Sequence, residues 1–567
     1  MIRLIGRPHL ERDGEPVDGP RGQKTWALLG RLVRTSEGVS RHRLVDELFS
    51  EADDPMGALR WSLAELRRRT GLTDAFKGNP VRAELRGSTV VDVAQMASGT
   101  VPGEIPEGQF LEGVDVRGSA GFETWLLIER QRVDGELQSA LRQATLRALS
   151  GRQFQRAIDL AGAMVRRNPF DEGPHVFLVK ALAASGDEDA ALRQVEASEA
   201  MLSRELGVEP SAAIRAAARP SVAAPVPGVS SRASSESLRD AGLAALSAGA
   251  ADAGIECLRG ATAAAESSGD AALLGECLME LGTALVHSIR GYDDEGSVIL
   301  QLAVEAATEA GAELTAAKAL SELGYVDVLA GRRRSAMQYL AAAAERATDD
   351  PALVAAVSGF QAMNLSDWGN VDQAMDSFRE ALELSRSAGA VRREIWNLGL
   401  GARSLFFQER LAEAADWARR SCELAHQERW IAFRPWPEVW KSRIRLASGD
   451  DPDAVRRDAE ATFALARQVQ DPCWEGVAAE VLGLTYVAQG EHEIALKWME
   501  NASVLCRRVT DPYTWIEVEI LLAEADVALE AGDHDRAGSV AQRALAEAAK
   551  GSMEDLLARA QRILAST

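Results

Sequence analysis

Along the first hundred residues the spacing of apolar side chains changes period several times. "IRLIG" and "PHLERDG" alternate apolar and polar positions as short strands do, with turn residues at Arg12-Asp13-Gly14 and Asp18-Gly19-Pro20. In "GQKTWALLGRLVRTSEG" the period becomes helical, with Trp26, Leu28, Leu29, Leu32 and Val33 on one face until Gly38 stops the run. Ser40 is placed to cap a second helix, "RHRLVDELF", whose Leu44, Val45 and Leu48 point inward. Pro55 suits the opening turn of a third helix, which carries "ALRWSLAELRRRTG" over residues 58–71. "VRAELRGSTVVDV" then reads as two strands around Arg86-Gly87-Ser88. Strands, three helices and a closing hairpin predict an α+β winged helix over residues 1–96.

At about 100° per residue, Leu59, Leu63, Leu66 and Thr70 form the core stripe of the third helix. The opposite side carries Trp61, Ala64 and Arg68, with Arg60 and Arg67 along one edge and Glu65 along the other. A solvated helix end explains Arg67-Arg68-Arg69 as a complement to the negative C-terminal dipole. An exposed tryptophan at the helix centre is a poor solvent residue, however, and Arg82 and Arg86 fall on the adjacent hairpin while Arg41 opens the second helix. That surface has the chemistry of a major-groove reader.

"ASGTVPGEIPEGQ", residues 97–109, is a Gly/Pro-rich break, and helical periods resume over 106–217. Ala157 and Pro169 stand 12 apart, as two marker positions of a tetratricopeptide repeat do. Residues 218–237, including "ARPSVAAPVPGVSSRASSES", consist almost entirely of small or breaking residues and predict a flexible tether.

Beyond it the chain repeats itself. Turn positions at Gly249, Gly291, Gly331, Gly369, Glu409, Gly449, Gly490 and Gly532 are spaced 38 to 42 residues apart. Five residues after each stands a small residue: Gly254, Gly296, Ala336, Ala374, Ala414, Ala454, Ala495 and Ala537. Seven further on stand Ala261, Ala303, Ala343, Ala381, Ser421, Ala461, Ala502 and Ala544. Small side chains recur where one helix crosses the next, because only they let the axes approach to about 8–9 Å. The pattern predicts a solenoid of about eight elongated tetratricopeptide-like repeats over 238–567, with Leu482, Gly483 and Tyr486 matching the first-helix signature. Its concave side is a surface for an unidentified protein or peptide, with Asn364, Trp396, Asn397, Arg403, Arg434, Trp436 and Lys441 as candidates. Without a partner, the tryptophans of this set fill space between long helices. The fold class is therefore mainly α.

Charge sharpens this division. The first hundred residues hold 16 basic and 14 acidic side chains, whereas the rest hold 47 against 71, so the net −22 belongs to the helical part. An acidic surface repels nucleic acid, which leaves any DNA contact to the N-terminal domain. Five scattered cysteines include no CxxC pair and read as buried reduced thiols. Seven dispersed histidines suggest no metal, and no Gly-Lys pair exists to build a phosphate-binding loop. No GxSxG or paired catalytic constellation occurs, so neither an enzyme nor a cofactor is expected. The absence of a long apolar run or a signal-peptide core argues for the cytoplasm and against a membrane partner.

"VSRHRLVDELF", "ALRWSLAELRRRTG" and "GSTVVDV" together resemble the OmpR-type winged helix of the Streptomyces antibiotic regulatory protein (SARP) group. "FLEGVDVRGSAGFETWLLIERQRV", the "NPFDE" turn at Asn168 to Glu172 and the closing "ELGVEPS" resemble the bacterial transcriptional activator domain that follows it in that group. Phe122, Glu123 and Trp125 are among its most specific marks. The resemblance implies a transcriptional regulator, an activator, whose third helix reads the major groove of promoter DNA, usually at direct repeats, and which meets RNA polymerase. It carries Arg60, Arg67 and Arg68 to DNA-contact positions. The second domain braces or dimerises the first. Two positions depart from the family pattern. Trp61 stands where a small or polar residue is usual, and Glu65 where a basic or polar one is common. Glu65 against a phosphate weakens binding, and against a cytosine amino group adds specificity. The alternative is a scaffold or adaptor whose winged helix no longer reads DNA.

Overall fold

A computed structural model describes residues 1–85, 89–101, 104–116, 119–206, 212–218, 232–247, 249–347 and 349–567. These form two compact units, residues 1–144 and 145–567.

The first unit opens with a three-stranded antiparallel meander, β1 (Ile2–Arg3), β2 (His9–Arg12) and β3 (Glu15–Val17), in which Leu10 faces both Ile2 and Val17. Three helices follow, α1 (Gln23–Val33), α2 (Arg41–Leu48) and α3 (Pro55–Thr70). Their starts are those the caps require: the Ser40 side chain accepts from the Arg43 N–H, and Asp54 accepts from Gly57 ahead of Pro55. Leu28, Leu29, Leu32, Leu44, Leu59, Leu63 and Leu66 close the core between them.

The hairpin lies earlier than the alternation predicts. Strands β4 (Lys77–Gly78) and β5 (Val81–Arg82) pair with each other, and the expected turn at Arg86-Gly87-Ser88 lies outside the described residues. The apolar positions of "VRAELRGSTVVDV" serve two different neighbours. Val81 exchanges both backbone hydrogen bonds with Val39, at 2.8 and 2.9 Å, while Val90 accepts from the Ile2 N–H of β1 at 2.8 Å. Next comes α4 (Asp92–Ala97), whose buried Asp92 takes the N–H groups of Leu4 and Ile5.

Residues 97–109 do not separate two bodies. Gly6 and Gln109, and Leu4 and Leu111, are joined by backbone bonds of 2.8 Å. The long helix α5 (Ala120–Ser150) sits in the first unit up to residue 144, and Arg34 at the end of α1 holds its Glu129 and Glu136, both at 2.8 Å. The Trp125 ring covers the Arg31 guanidinium at 5.0 Å. The first third of the predicted second domain is thereby welded to the N-terminal fold.

In the second unit, α6 (Phe154–Arg167), α7 (Glu172–Ala184), α8 (Glu188–Leu206) and α9 (Ala212–Ala217) precede the solenoid. The tether expected at 218–237 lies largely outside the described residues, and its end is already helical. The first repeat pairs α10 (Arg232–Ser247) with α11 (Ala251–Ser268). Seven more pairs follow: α12 (Ala271–Ser288) with α13 (Asp293–Glu309), α14 (Glu313–Leu329) with α15 (Arg333–Arg346), α16 (Pro351–Trp368) with α17 (Val371–Ser387), α18 (Val391–Phe407) with α19 (Leu411–Gln427), α20 (Pro435–Ala447) with α21 (Pro452–Gln468), α22 (Pro472–Val487) with α23 (His492–Cys506), and α24 (Thr514–Glu530) with α25 (His534–Lys550). A single helix, α26 (Glu554–Ser566), ends the stack.

All eight turn positions read from the spacing have left-handed backbones, from φ 59° at Glu409 to 96° at Gly369. Such a conformation ends one helix and reverses the chain into the next, and glycine adopts it without a Cβ clash. The small positions are buried in seven of the eight windows. In α21 the register slips by one. The turn after Gly449 holds both Asp450 and the capping Asp451, so Val455 and Thr462 face inward while Ala461 is exposed and Ala454 only half-buried.

Candidate functional site

Helix α3 turns Arg60, Trp61, Ala64 and Arg68 to solvent, and Trp61 is 55% exposed. Arg60 lies loosely against the capping Asp54 at 3.7 Å. Arg67 is half-buried and donates to the Phe76 carbonyl at 3.1 Å, which ties the helix end to the hairpin. Two other predicted contacts brace the same hairpin: Arg41 donates to the Gly78 carbonyl at 3.0 Å and Arg82 to the Glu37 carbonyl at 3.1 Å. Arg86 lies outside the described residues.

Glu65 is not on the outward face, contrary to the helical-wheel expectation. It is 3% exposed and binds Arg68 and Arg69, the latter at 3.0 Å, while Arg69 also reaches Asp18 at 3.2 Å. The hydrogen bond from Arg68, with that from Arg69, holds its carboxyl below the usual carboxylate range. The wheel misplaced it because the segment around Asp18 packs against this side of α3 and widens the buried stripe to Ser62 and Glu65. Nothing in the local spacing announces that contact, which joins residues 51 apart.

The solenoid's candidates divide differently. Asn364, Trp396, Asn397, Arg403 and Trp436 do not line an open groove; all five are buried. Asn364 donates to the Arg333 carbonyl at 2.9 Å, and Asn397 lies within 3.4 Å of the Ser385 hydroxyl. Arg403 is enclosed between Asp367 at 2.6 Å, the Tyr513 hydroxyl at 2.6 Å and the Trp515 ring at 4.2 Å. Trp396 stacks on Phe433 at 4.9 Å, and Trp436 lies 5.2 Å from Trp474. Only Lys441 is exposed, with Arg434 half-buried against Glu438.

Early repeats pack on late ones, which fills the interior. Arg290 pairs with Asp471 at 2.5 Å, the Gly291 N–H donates to Asp511 at 2.8 Å, and the Thr514 hydroxyl donates to the Leu329 carbonyl at 2.9 Å. A further cluster escaped the spacing of cysteines altogether: Cys473 and Cys506 place their sulfurs 3.7 Å apart.

Among the described residues no helix is long and apolar enough to cross a membrane. The family model of the bacterial transcriptional activator domain matches residues 106–220. No curated protein matches the chain. Among solved structures, a tetratricopeptide-repeat sensor protein of the signal transduction ATPases with numerous domains, from Pyrococcus horikoshii, is similar at 14% identity and a TM-score of 0.39, over 60% of this chain and 50% of that one. Mycobacterium tuberculosis EmbR, solved with a low-affinity phosphopeptide, is similar at 19% identity and a TM-score of 0.29, over 38% of this chain and 63% of that one. Aspartyl phosphate phosphatase F from Bacillus subtilis is similar at 10% identity and a TM-score of 0.37, over 71% and 92%. The chain thus spans about half the length of the Pyrococcus protein.

Proposed function

We propose that this chain is a DNA-binding transcriptional activator whose N-terminal elements form a winged helix. Helix α3 reads the major groove of promoter DNA, and the solenoid serves protein or peptide contact. One observation carries the reading: Arg60, Trp61 and Arg68 project together from one face of α3, on the part of the chain that does not share the strong negative charge of the rest. The activator-domain match at 106–220 supports the same class of function. Arg41, Arg67 and Arg82 act differently from Arg60 and Arg68. They spend N–H groups on backbone carbonyls, so they fix the hairpin beside the duplex and meet phosphates with what remains.

The adaptor alternative rests on Glu65 in the reading face and on the modest charge of the first hundred residues, 16 basic against 14 acidic side chains, and of these two Glu65 is turned inward. The activity belongs in the cytoplasm, with RNA polymerase and a second copy of the chain as further partners. On the solenoid, Lys441 and Arg434 are the members of the original set that a protein partner reaches without opening the interior.

The test is selection of duplex sequences by the full-length protein, followed by affinity measurements at several salt concentrations. Arg60→Ala and Arg68→Ala should each cost about 1–3 kcal/mol on the selected site if they read bases. Arg82→Ala should weaken all duplexes alike and flatten the salt dependence. Binding to selected DNA no tighter than to random duplex would return the adaptor reading.

A further inference from the structure

Cys473 and Cys506 are separated by a full helix pair in sequence, yet the fold presses their sulfurs to 3.7 Å. Cys473 is the second residue of α22, and Cys506 the last of α23, its antiparallel partner. Both are buried, at 5% and 0% exposure. Closing such a contact to a disulfide, near 2.05 Å, needs about 1.7 Å of sulfur movement, within the range of side-chain rotation and small helix adjustment.

The surroundings give the two sulfurs unequal roles. Cys506 donates its S–H to Cys473, and that bond together with burial holds its proton well above the usual thiol range. Cys473 also accepts from the Tyr513 N–H at 3.4 Å and borders a small cavity of about 20 Å³ that Arg290, Trp436 and Trp474 line as well. That volume admits a molecule about the size of water, and hydrogen peroxide is only slightly larger. The Arg290 guanidinium lies on the same cavity wall, paired with Asp471, whose other carboxylate oxygen accepts from the Cys473 N–H at 3.0 Å.

We propose that Cys473 and Cys506 form a peroxide-reactive dithiol that closes into an intramolecular disulfide. The Cys473 sulfur attacks one oxygen of hydrogen peroxide as its S–H gives up the proton, the O–O bond breaks, and the leaving hydroxide takes that proton and departs as water. Cys473 is then a sulfenic acid. The Cys506 sulfur attacks the Cys473 sulfur, the S–O bond breaks, and the hydroxide leaves with the Cys506 proton as a second water. Two thiols are oxidised and one peroxide is reduced. The new bond draws the Cys473 sulfur away from the Tyr513 N–H, next to the Arg290–Asp471 pair that joins early and late repeats. Oxidation therefore acts on the packing inside the solenoid.

The experiment treats reduced, folded, full-length protein with hydrogen peroxide or with the bulkier cumene hydroperoxide, then alkylates, digests and identifies the cysteine peptides by mass spectrometry. Hydrogen peroxide should produce the Cys473–Cys506 disulfide, reversed by dithiothreitol, at least tenfold faster than the bulky oxidant. Cys506→Ser should leave a sulfenic acid at Cys473 that dimedone captures, and Cys473→Ser should abolish both products. The proposal is overturned if native protein oxidises first at the half-exposed Cys257 while this pair stays reduced, or if the disulfide appears only after unfolding in urea. The wild-type comparison of native with unfolded protein decides the matter even if a variant folds poorly.

Discussion

Glu65 and Glu480 are both buried carboxylates, and their environments push them in opposite directions. Arg68 and Arg69 depress Glu65, so its contribution to stability is full above the ordinary carboxylate pKa and disappears as the pH falls through its lowered value. Glu65→Gln should lower the melting temperature at pH 7, and the difference from the parent should shrink in melts taken at progressively more acidic pH. It should also release Arg68, so that affinity for random duplex rises while discrimination falls. Glu480 lies 3.1 Å from Arg443, but burial dominates and raises it to about 7. The folded state then holds a proton that the unfolded state has lost, so this group's contribution worsens as the pH climbs from about 4.5 to 7. Glu480→Gln should melt higher than the parent at pH 8 and equal to it near pH 4. A parent curve that keeps its distance from the variant across this range would show that Arg443 keeps Glu480 ionised.

At the scale of elements, the repeat is written in backbone conformation as much as in hydrophobicity. Glu409 is the one non-glycine among the eight turn positions, held at φ 59° with its side chain exposed. Glu409→Gly should relieve the left-handed penalty and stabilise the solenoid by about 0.5–1 kcal/mol, measured by denaturant unfolding. The opposite change tests the crossings: Ala343 is fully buried where α15 meets its neighbours, and Ala343→Leu should cost about 1–3 kcal/mol by overpacking. Turn spacing and small residues made these helix pairs legible because both reflect contacts inside one repeat. The slip in α21 was not legible. One extra turn residue after Gly449 rotates the helix by about 100°, and Ala454 and Ala461 happened to satisfy the size rule without being the buried positions.

Across the whole solenoid, the contacts that close the interior span very long sequence separations. Arg290 and Asp471 are 181 residues apart, and Gly291 and Asp511 are 220 apart. Arg290→Ala removes the cation from Asp471, whose side chain is 10% exposed and keeps only the Cys473 and Trp474 N–H groups on its other oxygen. Breaking a buried pair costs about 3–5 kcal/mol, and the 27% exposure of the Arg290 side chain places the expected loss at the lower end of that range. Limited proteolysis should find the interior tryptophans in newly accessible segments of this variant. An unchanged digestion pattern would show that Asp511 and Thr514 hold the closure without the ion pair.

The amino-acid sequence by itself determined the helix pairs, their turns, the capped helices of the N-terminal fold and the segregation of charge, because each depends on neighbours within some forty residues. The tertiary structure alone decided which way Glu65 faces, where the hairpin falls, that residues 97–109 join rather than divide, and that Cys473 meets Cys506. It also decided that Trp396, Arg403 and Trp436 fill an interior rather than line a groove. Periodicity assigns a side chain to a face of its helix. Whether that face meets water, a strand or another turn of the solenoid depends on packing between segments far apart in the chain, and no local pattern encodes their distance.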